Sequence, residues 1–253
     1  MPTIDDVRAV KDVQGHVAAI NGAVADSFGD EAVGVERLGL RLVHGQGEAL
    51  PVQRRASDFV QASLKRGVDI AVSAVVLLAT LPLIALVALA IVLDSRGPVF
   101  YRAERVGRGG RRLRMLKFRK MHHDASGSPL TMSEDSRFTR IGGLLARTKL
   151  DELPQLWHVL RGEMSLIGPR PTLRYQVDRY SERQRRRLEV KPGITGWAQI
   201  HGRASLPWAE RIELDVWYVE HRSPRTDALI LLRTPLALYG GTYKGETGGW
   251  KPG

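Results

Sequence analysis

From Ile70 to Leu93 the chain reads IAVSAVVLLATLPLIALVALAIVL, 24 consecutive residues without a charge. As one helix this run is about 36 Å long, enough to cross the hydrocarbon layer of a bilayer. Pro82 lies in its middle, where proline removes a backbone hydrogen bond and crowds the preceding turn. Both flanks are basic: Arg54, Arg55, Lys65 and Arg66 come before, and Arg96, Arg102, Arg105 and Arg108 come after. Basic residues beside a membrane segment stay on the cytoplasmic side, so a straight crossing leaves one cluster on the wrong face. A helix that enters, breaks at Leu81-Pro82 and returns keeps both on one face, and this re-entrant hairpin is the preferred expectation over a span. A buried core helix is the least favoured, because 24 uncharged residues exceed the usual length of one.

The rest of the pattern predicts an α+β, mainly helical fold. Residues 1–57 mix charges with glycine and read as a variable extension, either partly disordered or a small accessory helical region. Residues 58–96 form an amphipathic lead-in, with Phe59, Leu64 and Val68 apolar, followed by the membrane hairpin. Residues 97–253 make the remaining region, which the basic flanks place on the cytosolic side. Within it, Val99 to Tyr101 and Leu113 to Phe118 have strand character around a turn at Gly107–Gly110, which predicts a β-hairpin. Leu153, Leu156, Trp157 and Leu160 carry a helical period over Leu150–Gly162, with Pro154 in the first turn and Gly162 as the stop. An arginine-rich, solvated helix is expected at Ser181–Glu189, and an irregular glycine loop at Lys191–Arg203. The segments Pro207–His221 and Thr226–Tyr239 are open to two readings, core helices or interfacial helices using Trp208, Trp217 and Tyr218.

Charge narrows the class of partner. A formal charge of +11 and a pI near 10.3 call for something anionic, whether lipid, nucleic acid or a phosphorylated substrate. The absence of cysteine removes disulfides, thiolate metal sites and cysteine nucleophiles. Residues 1–20 contain no apolar core of signal-peptide length.

Two places carry candidate chemistry. Asp151 and Glu152 sit at the start of the expected helix, where the plain reading is a cap and a favourable dipole contact. The other reading is a carboxylate that attacks phosphorus beside one that helps hold a divalent cation, for which oxygen ligands select Mg²⁺. Arg170 stands between Pro169 and Pro171, a rigid mount for a guanidinium that grips phosphate, although a surface arginine in a proline-rich turn has the same sequence. His122 and His123 are adjacent and lack the spacing of a metal site.

The blocks GPVFYRAERVG, LKFRKM, DSRFTRIG, LDELPQL, RGEMSLIGPRP, KPGITGWAQIHGR and ELDVWYVEH occur in this order. Over about Leu64–Tyr239 the chain thereby resembles the bacterial sugar transferases, the monotopic phosphoglycosyl transferases. The resemblance implies transfer of a phosphosugar from a UDP-sugar to polyprenyl (undecaprenyl) phosphate, at the cytoplasmic face of the bacterial inner membrane. This reaction starts exopolysaccharide, O-antigen, capsule or glycoprotein glycan assembly. It implies residues 97–253 as the catalytic part, Asp151 as nucleophile and Glu152 as its helper through Mg²⁺, with UMP released. It places Lys117, Arg119, Arg147, Arg170 and Lys191 around phosphates and Asp215 near the site, with membrane lipid as a partner, no nucleic acid, and a homo-oligomer compatible with it. Departures from the family pattern are Ala146, with Arg147 one place late; Lys149 in place of a small hydroxyl residue; His158 and His201 in place of asparagine; and Leu81-Pro82 in place of Ser-Pro. Competing readings are a non-enzymatic membrane-tethered scaffold and a binder of anionic ligands.

Overall fold

The computed structural model describes residues 56–126, 135–202 and 206–239. All but the last two residues of the expected N-terminal extension lie outside them.

Helix α1 runs from Ala56 to Asp94, 39 residues, with Pro82 inside it. The lead-in and the apolar run are one element, and the non-helical break expected at Leu81-Pro82 is not present. Proline can bend a helix without ending it when the carbonyl it frees finds another partner or the local turn adjusts. Thr80, the hydroxyl residue nearest the proline, donates to Val76 O at 2.7 Å and not to the carbonyl the proline frees. The outward face of α1 is bare hydrocarbon, with Val75, Leu78 and Leu86 each about two-thirds exposed. A continuous apolar surface of this kind is out of place in water, and α1 is long and apolar enough to cross a membrane.

Polar residues at both ends of α1 tie it to the remainder of the chain. Near its start, Lys65 pairs with Asp227 at 2.7 Å and the Arg66 guanidinium donates to Val159 O and Leu160 O. One turn on, buried Asp69 accepts from Leu166 N at 3.0 Å and Ser165 Oγ at 3.1 Å. At the far end, Val87 and Ile91 pack on Phe118 and Leu145, and Asp94 accepts from Ile141 N at 3.0 Å.

The expected β-hairpin is present. Strands β1 (Phe100–Val106) and β2 (Arg112–Phe118) pair antiparallel from Phe100↔Phe118 to Val106↔Arg112. Gly109 and Gly110, both at positive φ, turn the chain between them. Helix α2 (Arg140–Thr148) is capped by Thr139, whose hydroxyl accepts from Gly142 N. The segment expected to be one helix from Leu150 divides into a 3-10 turn, Leu150–Gln155, and a short helix α3, Leu156–Arg161. Gly162 ends α3 at φ 78°, as the stop signal required.

The glycine loop is more regular than its composition predicts. Strand β3 (Ser165–Ile167) pairs parallel with β4 (Gly193–Thr195), so the two proline-glycine segments lie side by side. Short helices α4 (Arg174–Val177) and α5 (Glu182–Arg185) fall between these strands, and α6 (Trp197–Ile200) follows β4. Helix α7 (Trp208–His221) is a core helix: Ile212 and Val216 pack with Val106, Val177 and Tyr180. Tyr218, expected among interfacial aromatics, is buried and donates to Asp227 Oδ1 at 2.7 Å. Helix α8 (Pro224–Tyr239) exposes Leu232 and Leu236.

A close approach at Gly142 fixes the end of the hairpin. A Cβ there would stand 1.8 Å from Lys120 O, and the same carbonyl accepts from Thr139 N. Gly142→Ala should therefore destabilise the protein by about 2–3 kcal/mol, seen as a lower thermal unfolding midpoint in detergent; an unchanged midpoint would show that the contact is loose.

Candidate active site

The 3-10 turn brings its two carboxylates to the edge of β2. Lys149, just before it, adopts a left-handed backbone, φ 61° and ψ 12°, the one non-glycine residue at positive φ among the described residues. This conformation reverses the chain out of α2 and is uncommon for a side chain without special local hydrogen bonding. The cap position of the turn is Lys149 and Asp151 lies inside its first turn, so the reading of Asp151 as an N-cap is not what the structure shows. It is 2% exposed, and its nearest cation is Lys120, with Nζ 3.5 Å from Oδ2.

Glu152 is held far more firmly. Lys117 Nζ reaches Oε1 at 2.9 Å, and the Arg170 guanidinium forks onto both oxygens, at 2.5 and 3.2 Å. Burial alone would raise the Glu152 pKa, but Arg170 and Lys117 outweigh it and hold the carboxyl well below its usual range. Burial acts on the lysines in the other direction. It lowers Lys117, with Glu152 opposing, and takes Lys149 down to about 8. Four cations, Lys117, Lys120, Lys149 and Arg170, thus gather around two carboxylates, leaving an excess of positive charge for an incoming anion.

The remaining sequence candidates occupy other places. Arg119 donates to Arg96 O at 2.6 Å and Ser95 O at 2.8 Å, so its guanidinium closes the carbonyl end of α1. Arg147 is exposed on α2 and reaches back to Gly143 O. Lys191 lies beside Gly162 and Arg66, and burial followed by Arg66 lowers its pKa. Leu81 and Pro82 are interior residues of α1.

Asp215 is buried and paired with Arg187, which also donates to Arg170 O at 3.0 Å. Arg187 donates further to Tyr180 Oη at 2.5 Å. Asp215 is thereby linked through Arg187 to the backbone carbonyl of the residue that grips Glu152. Arg187 was unreadable as such: it lies in a run of arginines that looks uniformly solvated, and only tertiary packing turns this one inward. His158 ties the turn to the hairpin. Its Nε2 accepts from Leu116 N at 2.9 Å, which leaves the proton on Nδ1 to donate to Glu163.

A profile of the family described as bacterial sugar transferase matches residues 60–241. The chain belongs to the bacterial sugar transferase family. It is 43% identical over 172 residues to an uncharacterized sugar transferase of Bacillus subtilis, covering 68% of this chain and 85% of that one. It is 41% identical over 194 residues to a UDP-glucose:undecaprenyl-phosphate glucose-1-phosphate transferase of Caulobacter vibrioides, covering 73% and 71%. It is 42% identical to an undecaprenyl-phosphate glucose phosphotransferase of Komagataeibacter xylinus, of whose length it spans only 37%. The matched region of this sugar transferase contains all of the carboxylates and cations described above.

The donor set is compatible with a hard cation. Two adjacent carboxylates without imidazole or thiolate are the hard oxygen donors that Mg²⁺ takes, but with both Glu152 oxygens on Lys117 and Arg170 the open donor is Asp151, and such an ion would complete its shell with water and substrate phosphate. No cluster of three or more carboxylate or histidine residues able to hold a metal occurs among the described residues.

Burial pushes the Asp215 carboxyl up to about 6 from its ordinary 3.8, against the pull of Arg187. A carboxyl with a higher pKa in the fold binds more protons there, so its contribution to stability is full below the unfolded value and is lost as pH rises through the folded one. The unfolding midpoint of the wild type should consequently fall relative to that of Asp215→Asn between about pH 4 and pH 7. A gap independent of pH would remove this account of Asp215.

Proposed function

We propose that this sugar transferase moves a phosphosugar from a UDP-sugar to polyprenyl phosphate through a covalent intermediate on Asp151, at the cytoplasmic face of the inner membrane. The observation that carries the reading is the unequal partnership of the two carboxylates. Glu152 has both oxygens engaged by Lys117 and Arg170, whereas Asp151 has a single longer contact to Lys120. Glu152 thereby stays ionised and fixed, and Asp151 keeps an oxygen with which to attack.

In the first step an Asp151 carboxylate oxygen forms a bond to the β-phosphorus of the donor, and the bond from that phosphorus to the bridging oxygen breaks. UMP leaves with the electron pair. In the second step a phosphate oxygen of the acceptor attacks the same phosphorus and the acyl-phosphate bond breaks, which restores the Asp151 carboxylate and yields a polyprenyl diphosphosugar. No net proton is required in either step. Lys117, Lys120, Lys149 and Arg170 reduce the repulsion between anionic reactants and stabilise charge on the phosphoryl oxygens. Asp151, the open donor of the pair, would hold Mg²⁺, which supplies further charge neutralisation at the diphosphate.

Topology belongs to the same proposal. The part of the chain that follows α1 binds Lys65, Arg66 and Asp69 near the start of the helix and Val87, Ile91 and Asp94 near its end. That body would have to lie on both sides of a bilayer if α1 crossed it straight. A helix bent at Pro82 that dips into one leaflet and returns lets one body hold both ends, and leaves the basic flanks together. Tags placed before Lys65 and after Tyr239 should therefore be accessible from the same face of sealed vesicles, and opposite accessibility would sink the re-entrant reading.

Purified protein given Mg²⁺, undecaprenyl phosphate and a panel of UDP-sugars should release UMP with at least one donor. A donor labelled at the β-phosphorus should leave label on the protein. Asp151→Asn should lose the label and at least about a thousand-fold in turnover. Ordinary turnover by that variant would end the nucleophile assignment.

A further inference from the structure

A second basic site lies on the other face of the β-hairpin. Side chains alternate along β2, so Lys117 reaches Glu152 while Arg112, Arg114 and Leu116 face away from it. There they line a cavity of about 1000 Å³, closed on the other side by Trp157, Arg161 and Gly162 of the α3 end and by Lys191. Neither Asp151 nor Glu152 lines it, nor do Lys117 and Arg170.

The lining contains seven basic side chains and one carboxylate, Glu163. Some of these cations are spoken for: Arg112 pairs with Glu104, Arg161 with Glu163 at 3.1 Å, and Arg108 donates to Glu189 O. Among the described residues Arg102, Arg111 and Arg114 have no ion pair. Like charges converging on one concavity repel one another, and the arrangement is stabilised when an anion occupies it.

Position selects the kind of anion. The Arg66 guanidinium lies 3.3 Å, and Lys191 Nζ 3.5 Å, from where a Cβ on Gly162 would stand. Arg66 is four residues before Ile70, at which the uncharged run of α1 begins. The cavity therefore opens at the depth where the apolar helix meets its polar body, with half-exposed Trp157 at the rim, a side chain suited to the interface. We propose that this cavity binds the phosphate headgroup of an anionic phospholipid, and so holds the hairpin face against the membrane independently of the reaction at Asp151. Arg102, Arg111 and Arg114 supply the open donors and Lys191 the cation nearest the helix.

The test uses the full chain in detergent, exchanged into mixed micelles containing phosphatidylglycerol or phosphatidylcholine, with lipid per protein measured by mass spectrometry after gel filtration. Wild type should retain phosphatidylglycerol in preference to phosphatidylcholine. The triple variant Arg102→Gln, Arg111→Gln, Arg114→Gln should retain several-fold less, and the corresponding triple lysine variant should retain it as wild type does. Arg111→Gln alone, at the exposed tip, provides the same comparison should the triple variant unfold at a lower temperature. Equal retention of both lipids, or equal retention by wild type and glutamine variants, would overturn the proposal. Displacement of phosphatidylglycerol by millimolar inorganic pyrophosphate would also overturn it, since the cavity would then be a site for soluble phosphate. Loss of UMP release by Asp151→Asn has no bearing on this readout, so the two readings fail separately.

Discussion

The carboxylate of Glu152, clasped between Lys117 and Arg170, is the interaction on which the remaining arrangement depends. Its three members come from three separate parts of the chain: the end of β2, the 3-10 turn after α2, and the proline-flanked turn after β3. Joining them brings the hairpin, the turn and the parallel β3–β4 pair to one point. A buried charge left without a partner is strongly destabilising, whereas a fully satisfied one fixes a single geometry. The supports reach outward from it, through Arg187 and Asp215 into α7, and through His158 from α3 back to β2.

Local signals were legible where a residue has one physical use. Gly109 and Gly110 between two alternating runs meant a hairpin, and Gly162 after a helical period meant a stop. Asp151, Glu152 and Arg170 each had a plain local reading, a cap or a surface arginine, and only the family resemblance brought them forward; the fold joins Arg170 to Glu152. Illegible were the features decided by distant partners. Arg119 and Arg187 look like their neighbours in sequence, yet one closes the end of α1 and the other braces Arg170 from inside the core. Tyr218 has an interfacial composition around it and is nonetheless a core residue, because Asp227 takes its hydroxyl. Pro82 signalled a break, but a proline states only which hydrogen bond is lost, and the helix continues past it.

The departures from the family pattern also acquire physical content. Lys149 adds a cation to the carboxylate pair from a backbone conformation that lysine seldom adopts, with burial lowering its pKa to about 8. His158 supplies through its two ring nitrogens both an acceptor for Leu116 and a donor for Glu163, a bridging use of a side chain with two opposed polar atoms. His201 takes a quieter place, its ring tilted at 47° against Trp197, with burial lowering its pKa. Ala146 is simply packed in the core of α2.

The ties of Arg66 to the end of α3 and of Asp69 to β3 are made by side chains on successive turns of the same helix that carries the apolar run. A helix tied in this way cannot shift without carrying along α3 and β3, the neighbours of the segments that position Glu152 and Arg170. With α1 seated in a bilayer, a hydrophobic acceptor would arrive by lateral diffusion, encounter rates would follow surface density and bilayer viscosity, and a two-dimensional concentration, moles per unit area, would be the variable against which saturation is expressed.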